Sequence, residues 1–133
     1  MRVRALLVTA TVATAALVGL AGCSSDTAAV TDIGAAELIE VVGEPETVII
    51  DVRTPVEYAE GHVPGALNID IASPTFNDEI AALPTDQTYV VYCRSGNRSA
   101  QAATIMADAG FSDVYNVDAG LATLASAGVP LTQ

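Results

Sequence analysis

One cysteine lies where its sulfur could act as a nucleophile. Cys93 follows the apolar run Tyr89–Tyr92, and a helical pattern begins near Asn97 and continues through Ala109. A cysteine between a strand and a helix faces the positive end of the helix dipole, where converging backbone N–H groups favour the thiolate. Half-ionising a thiol at pH 7 takes roughly 2 kcal/mol of such stabilisation. The spacing therefore predicts an activated thiolate at the carboxyl end of a strand.

The residues after this cysteine supply a tight turn, cations and hydrogen-bond donors. The predicted active-site loop consists of Cys93, Arg94, Ser95, Gly96, Asn97, Arg98 and Ser99. Gly96 permits the turn, and the polar side chains can donate to the loop or cap the helix. We expect Arg94 to bind an anionic substrate at the mouth, the alternative being a solvated arginine. We expect Arg98 to brace the loop by pairing with Asp51.

A second group of residues is predicted to support the loop, namely Asp51, Arg53, Glu57 and His62. Asp51 and Arg53 follow another apolar strand, and we expect Arg53 to pair with Glu57 or another carboxylate. His62 is the only histidine, and we interpret it as a hydrogen-bonding loop residue rather than a general base. A single histidine without companions does not make a metal site. We predict neither a metal nor a cofactor.

The elements that must position these residues alternate along the chain. Strands are predicted at 30–33, 48–51, 66–68, 89–92 and 113–117, and helices at 34–42, 77–83, 97–109 and after Thr54. Thr54-Pro55-Val56-Glu57 is a capping box, and Gly110 fits the left-handed position after a helix, with Phe111 packing back on Met106. Continuous apolar strands separated by helices indicate an α/β fold, with an open parallel sheet of about five strands and helices on both faces.

Four segments together resemble the rhodanese family. Cys93 to Ser99 is similar to its active-site loop, Cys-Arg-x-Gly-x-Arg, and Tyr58 to Ile69 is similar to its signature of an aromatic residue followed by His-Val-Pro-Gly-Ala and an aliphatic residue. The segments that match in order are 50–58, 58–69, 93–99 and 110–115. The resemblance covers roughly 30–130 and identifies a rhodanese-like domain at 30–133.

The resemblance implies a single-domain sulfurtransferase. Cys93 would take sulfane sulfur from thiosulfate or a similar anionic donor, become a persulfide, and pass the sulfur to a thiol or to cyanide. The loop amides would hold the negative charge. This chain departs from the family after the last strand, where Ala119-Gly120 replaces a Gly-Gly pair and the tryptophan is absent. The departure affects the pocket rim and the substrate preference more than the sulfur chemistry.

The sequence leaves two other functions open. The loop also resembles that of cysteine phosphatases and arsenate reductases, in which five residues separate the cysteine from the arginine. In this chain, four residues separate Cys93 from Arg98. That loop is one residue short for a tetrahedral oxyanion. The other alternative is a module without turnover: a sulfur carrier, a redox sensor or a partner-docking domain.

The first 22 residues have the pattern of a signal peptide. A basic start and an apolar run lead to Leu20-Ala21-Gly22-Cys23, which resembles the lipobox of bacterial lipoproteins. The resemblance implies cleavage before Cys23, lipidation of Cys23, and a short tether over 23–29. It also implies an extracytoplasmic domain anchored to the cell membrane. The alternatives are an uncleaved membrane anchor and an ordinary secreted protein.

Charge excludes one class of partner. The chain after Cys23 keeps three arginines, no lysine and all 16 acidic residues, which gives a formal net charge of −13. Such a surface repels phosphate backbones, so we expect no nucleic-acid binding. Cys93 is the only cysteine besides Cys23. If Cys23 is lipidated, no intramolecular disulfide can form.

Overall fold

The computed structural model describes residues 30–133, so the predicted signal peptide, the predicted lipidation at Cys23 and the tether lie outside the described residues. Five strands form one parallel sheet: β1 (Thr31–Ile33), β2 (Thr47–Asp51), β3 (Leu67–Asn68), β4 (Thr88–Tyr92) and β5 (Asp113–Val117). Their spatial order is β1-β5-β4-β2-β3. The predicted α/β fold with an open parallel sheet is confirmed.

Five helices connect or follow the strands: α1 (Ala35–Val41), α2 (Pro55–Glu60), α3 (Phe76–Ala81), α4 (Asn97–Asp108) and α5 (Leu121–Ser126). The sequence predicted the first four to within one or two residues at most ends and missed α5. None of the helices within residues 30–133 has the length and apolar character that crossing a membrane requires.

Alternation along the strands divides the core into two layers. Val91 and Cys93 belong to the layer that includes Met106 of α4. Val90 and Tyr92 belong to the opposite layer, which includes Leu124 of α5. Successive strand side chains point to opposite faces of a sheet, and here both faces are covered. Cys93 therefore leaves β4 on the α3–α4 side, while Tyr92 projects toward the other side.

The strand register brings the functional segments to one edge. Asp51 of β2 pairs with Tyr92 of β4, so these two strands end level with each other. The loop that begins at Cys93 therefore starts beside the segment that follows Asp51. In open α/β sheets, sites form at the carboxyl ends of the strands, and this edge holds every predicted loop residue.

Local signals fix the ends of the helices next to this edge. The Thr54 hydroxyl accepts from Glu57 N at 3.3 Å while the Glu57 carboxylate accepts from Thr54 N at 3.1 Å, which is the predicted capping box of α2. At the end of α4, Gly110 has a φ of +94° and Phe111 N donates to the carbonyl oxygen of Met106 at 3.2 Å. The residue types at these positions predict both the capping box of α2 and the left-handed glycine after α4.

Candidate active site

The loop after β4 curls around the sulfur of Cys93. Gly96 has a φ of +91°, and its backbone N–H donates to Cys93 Sγ at 3.0 Å. Ser99, in the first turn of α4, places its hydroxyl 3.4 Å from the same sulfur and 3.1 Å from the carbonyl oxygen of Gly96. The hydroxyl has one hydrogen, which these two acceptors share. The left-handed turn at Gly96 is the backbone geometry that aims the amide inward.

Burial and hydrogen bonding act on this thiol in opposite directions. Burial by itself raises the pKa of Cys93, because it disfavours the charged form. The Ser99 hydroxyl and the amides of Ser99, Ser95 and Gly96 stabilise the thiolate and outweigh burial, so the pKa of Cys93 is lowered. A lowered pKa makes the thiolate, which is the nucleophile, more abundant at neutral pH.

The sulfur lies under the loop rather than on the surface. Cys93 is 0% exposed, whereas the neighbouring residues Arg94, Ser95 and Asn97 are exposed. The loop residues therefore separate the sulfur from the solvent. On the core side of the sulfur, apolar residues such as Ala102 and Ala103 of α4 keep water away from the thiol.

Arg98 binds a different carboxylate from the one the sequence predicted. Its guanidinium forms a bidentate ion pair with Glu57, with Nη1 2.9 Å from Oε2 and Nη2 2.8 Å from Oε1. The expected pairing of Arg98 with Asp51 is wrong, because Arg53 already occupies Asp51. Glu57 is available instead because the capping box holds its carboxylate at the start of α2, facing the loop. The Arg98–Glu57 ion pair thus joins the active-site loop to α2.

Arg53 folds back on the carboxylate two residues before it. Arg53 Nη2 lies 2.6 Å from Asp51 Oδ2 and donates to the carbonyl oxygen of Gly61 at 2.7 Å. Tyr92 joins this group, since its hydroxyl donates to Asp51 Oδ2 at 2.8 Å and accepts from Val63 N at 3.0 Å. These buried charges are therefore paired and hydrogen-bonded, as buried charges must be. The sequence gave no signal for these hydroxyl contacts of Tyr92.

The Arg98–Glu57 ion pair strongly favours the ionised form of Glu57. Hydrogen bonds from Arg98, and to a lesser extent from Thr54, lower the pKa of Glu57 to about 2 against the opposing effect of burial. The same pairing raises the pKa of Arg98. Both groups keep their charges over the whole physiological pH range, so the ion pair does not titrate there.

His62 lies near this group without touching the sulfur. Its ring stacks on Tyr58 with centroids 3.6 Å apart, and Nδ1 donates to the carbonyl oxygen of Tyr58 at 2.9 Å. Its backbone forms an antiparallel bridge with Thr132. These contacts describe a loop residue that holds the chain, and they include no proton acceptor near Cys93. No group of three or more His, Cys, Asp or Glu side chains within residues 30–133 could hold a metal ion.

The segment after β5 packs directly on the active-site loop, which the sequence did not reveal. A Cβ at Gly120 would lie 2.6 Å from the carbonyl oxygen of Arg94, so only glycine fits there. Leu121 N, at the start of α5, donates to the same oxygen at 3.2 Å. This close approach accounts for the glycine at the second position of the Ala119-Gly120 pair.

The fold and the loop define a protein class. The family model described as rhodanese-like domain matches residues 34–127, and this chain belongs to that family. It is 33% identical over 103 residues to a sulfurtransferase of Allochromatium vinosum, covering 77% of this chain and 94% of that protein. It is 40% identical over 86 residues to the thiosulfate sulfurtransferase GlpE of Pseudomonas aeruginosa, covering 65% of this chain and 76% of that protein.

A solved structure agrees with this assignment. The crystal structure of a rhodanese-related protein from Thermoplasma volcanium superposes with a TM-score of 0.67 at 30% identity, covering 77% of this chain and 97% of that one. The predicted rhodanese-like fold is therefore confirmed, and sulfurtransferases are among the relatives of this chain.

Proposed function

We propose that this domain transfers sulfane sulfur through a persulfide on Cys93. The observation that carries the proposal is the sulfur's surroundings: Gly96 N donates to Sγ at 3.0 Å, the Ser99 hydroxyl lies 3.4 Å away, and the pKa of Cys93 is lowered. Membership of the rhodanese-like family and the names of its relatives support the same reaction class.

The first half-reaction forms the persulfide. The Cys93 thiolate attacks the outer sulfur of thiosulfate, an S–S bond to Cys93 forms, and the S–S bond within thiosulfate breaks. The electron pair of that bond leaves with sulfite, so the enzyme keeps one sulfur atom as Cys93–S–S⁻. The loop amides stabilise the anionic sulfur in the transition state, as an oxyanion hole does for oxygen.

The second half-reaction restores the thiolate. Cyanide or an organic thiolate attacks the outer sulfur of the persulfide, and the electron pair of the breaking S–S bond returns to Cys93. Cyanide becomes thiocyanate, and a thiol becomes an organic persulfide. Cys93 is the nucleophile of the first step and the leaving group of the second, and two displacements joined by such a covalent intermediate are the pattern of covalent catalysis.

We assign the binding of the donor anion to Arg94. Its side chain is exposed beside Cys93, and within the described residues it has no ion-pair partner, whereas Arg53 and Arg98 are both paired. A guanidinium in this position can bind the sulfonate oxygens of thiosulfate in a bidentate manner.

The direct test uses purified protein, thiosulfate and cyanide. We expect thiocyanate to form with turnover, and Cys93→Ala to lower the rate by roughly 10³-fold or more because the nucleophile is lost. Unchanged circular dichroism and melting temperature would show that the variant folds. Mass spectrometry after thiosulfate alone should show one added sulfur on Cys93.

Other outcomes would overturn this function in distinct ways. A persulfide that forms but is never discharged by thiols or cyanide would indicate a carrier without turnover. Absence of the persulfide, combined with hydrolysis of an aryl phosphate that Cys93→Ser abolishes, would indicate a phosphatase.

We also propose that Cys23 is lipidated and holds the domain outside the cytoplasm. The support is the Leu20–Cys23 motif after an apolar run, and two acyl chains suffice for stable anchoring. In a bacterial host, labelled palmitate should be incorporated into the wild-type protein and into Cys93→Ser, but not into Cys23→Ser. A wild-type protein that carries no label and is recovered in the aqueous fraction rather than with the membranes would contradict this proposal.

A further inference from the structure

A pocket of about 330 Å³ adjoins the active-site loop between α2 and α5. It meets the loop at Arg94, whose carbonyl oxygen accepts from Leu121 N at the start of α5. Cys93 itself is enclosed and does not line the pocket. The volume falls at the lower end of the range for small-molecule sites, which is more than a thiosulfate ion needs.

One wall of this pocket is apolar. Leu121 and Ala122 in the first turn of α5 and Ala125 about one turn later line the pocket, and Leu131 lines it as well. Leu131 is 40% exposed, although a leucine gains from being covered. The wall is part of the segment that departs from the family pattern, where the tryptophan is absent.

The remaining wall is charged but nearly balanced. The lining includes Arg53 and Glu57, each of which is held in an ion pair with a residue of the site. Among the described residues, the lining side chains left without an ion-pair partner are Arg94 and Glu60. Arg94 lies at the active-site loop, next to Cys93.

Glu60 lines the pocket where a second cavity adjoins it. A second, more open cavity shares Glu60, Gly61 and Leu131 with the first and continues to Thr132 and Gln133. The two cavities therefore form one groove that runs from Arg94 past Glu60. A molecule extending along it from Arg94 lies against the α5 wall and reaches the Glu60 carboxylate where the second cavity begins.

We propose that this pocket, which we call the α5 pocket, selects the sulfur acceptor, and that the acceptor is a small organic thiol with an apolar, uncharged body. The inference rests on the proposed function. The thiolate of the acceptor attacks the outer sulfur of the Cys93 persulfide, forming an organic persulfide while the electron pair returns to Cys93. The body lies on Leu121, Ala122 and Ala125, and Glu60 repels a thiol that carries carboxylates.

The test compares acceptors in the second half-reaction. Protein loaded with sulfur from thiosulfate is mixed with 2-phenylethanethiol, with 2-mercaptoethanol or with mercaptosuccinate, and rates are expressed per thiolate because thiol pKa affects the rate. We expect kcat/KM to be about 10-fold higher for 2-phenylethanethiol than for 2-mercaptoethanol, since apolar contacts of this size discriminate by such factors. Mercaptosuccinate should be the poorest acceptor.

A pair of variants assigns the preference to this pocket. Ala125→Glu places a charge on the apolar wall and should lower the ratio of kcat/KM for 2-phenylethanethiol to that for cyanide by about 10-fold, through KM. Thr123→Glu adds the same charge on the same helix, at a residue that does not line the pocket, and should keep the wild-type ratio. As a measurement that needs no variant, 2-phenylethanol should compete with 2-phenylethanethiol.

The outcomes separate this inference from the function on which it rests. If thiosulfate leaves no persulfide on Cys93, the proposed function fails. If the persulfide forms and reacts with cyanide, but the thiols react equally or 2-phenylethanol does not compete, the α5 pocket does not select the acceptor. Discharge by a protein thiol but by none of the small thiols would overturn the inference in the same way.

Discussion

The Cys93 sulfur combines two properties that usually oppose each other, because it is enclosed and its pKa is nevertheless lowered. Burial alone produces an inert thiol. The difference here comes from a small number of donors: Gly96 N makes the shorter hydrogen bond to the sulfur, and Ser99 supplies the one side-chain hydrogen bond to it among the described residues. Each donor therefore contributes measurably to the fraction of thiolate.

Removing the hydroxyl of Ser99 should weaken the nucleophile at neutral pH. We expect Ser99→Ala to raise the pKa of Cys93, so that the rising limb of the pH profile of persulfide formation moves to higher pH. A hydrogen bond to a charged group of about 1.4 kcal/mol corresponds to a loss of roughly 10-fold at pH 7. The rate should approach that of the wild type at alkaline pH, where both thiols are ionised.

Thr104→Ala is the matched control for this change. The Thr104 hydroxyl also bonds to backbone within α4, donating to Ala100 O at 3.0 Å, and it does not contact the sulfur. Its pH profile should coincide with that of the wild type. If the pH profile of Ser99→Ala also coincides with that of the wild type, the backbone amides alone set the pKa of the thiol.

Residue types and spacing predicted the geometry of the loop better than they predicted the ion pairs around it. The loop follows from Cys93 at a strand end and Gly96 three residues later, since this spacing lets a left-handed turn aim an amide at sulfur. The partners of Arg53 and Arg98 depend on which carboxylate faces which guanidinium. That choice is made by the capping box of α2 and by the fold-back of Arg53, which the sequence alone does not determine.

At the scale of elements, α2 is short but has two separate functions. Its capping box begins the helix, and the same Glu57 carboxylate receives Arg98 from the active-site loop. A helix of six residues is too short to be stable by its own hydrogen bonds. The cap and the ion pair therefore contribute to both the helix and the position of the loop.

Neutralising Glu57 should reduce stability in a pH-dependent way. The folded pKa of Glu57 is about 2, below the value of about 4.3 for an unfolded glutamate. Its stabilisation is complete above the unfolded pKa and is lost as the pH falls through the folded pKa. We expect Glu57→Gln to lower the free energy of unfolding by about 1 kcal/mol at pH 7, since Arg98 is one-third exposed and solvent screens the pair.

Chemical denaturation at several pH values would measure this effect. The difference between Glu57→Gln and the wild type should shrink between pH 4 and pH 2. Glu60→Gln removes a neighbouring carboxylate that has no ion pair among the described residues and should leave stability unchanged at every pH. A difference for Glu57→Gln that is constant down to pH 2 would exclude the ionised pair as its cause.

The elements that sequence reasoning predicted are those with marked ends or apolar cores. β2 and β4 are rich in valine, isoleucine and tyrosine, and α2 and α4 have a capping box and a glycine end, respectively. α5 has neither signal at its start, because Gly120 caps it without a side-chain hydrogen bond. It forms because Leu124 is buried in the core and Leu121 N bonds to the active-site loop, which are tertiary contacts.

At the scale of the molecule, the charges are unevenly distributed. All three arginines of the described part lie at the carboxyl edge of the sheet, two of them in ion pairs, while the chain after Cys23 carries a net charge of −13. An approaching dianion therefore meets long-range repulsion before it reaches Arg94. Local attraction by Arg94 and repulsion by the net charge respond differently to salt, because the repulsion acts over a longer distance.

Salt should therefore accelerate the reaction with an anionic donor. Raising ionic strength from about 10 to 150 mM shortens the Debye length from about 30 to about 8 Å. We expect kcat/KM for thiosulfate to rise about threefold over this range. The discharge of the persulfide by 2-mercaptoethanol, followed at constant pH, should rise less, because the attacking thiolate carries one negative charge whereas thiosulfate carries two. A decrease with salt for thiosulfate would show that attraction by Arg94 dominates the encounter.

The parallel sheet also determines which way the loop faces. All five strands run in the same direction, so the chain enters β1 at Thr31 on the amino edge, and Cys93 leaves β4 at the opposite edge. For a domain attached to a bilayer by its amino end, the reactive end would point outward, toward whatever diffuses past. The strand direction that gathers the loop residues would then also separate the point of attachment from the entrance by the length of the sheet.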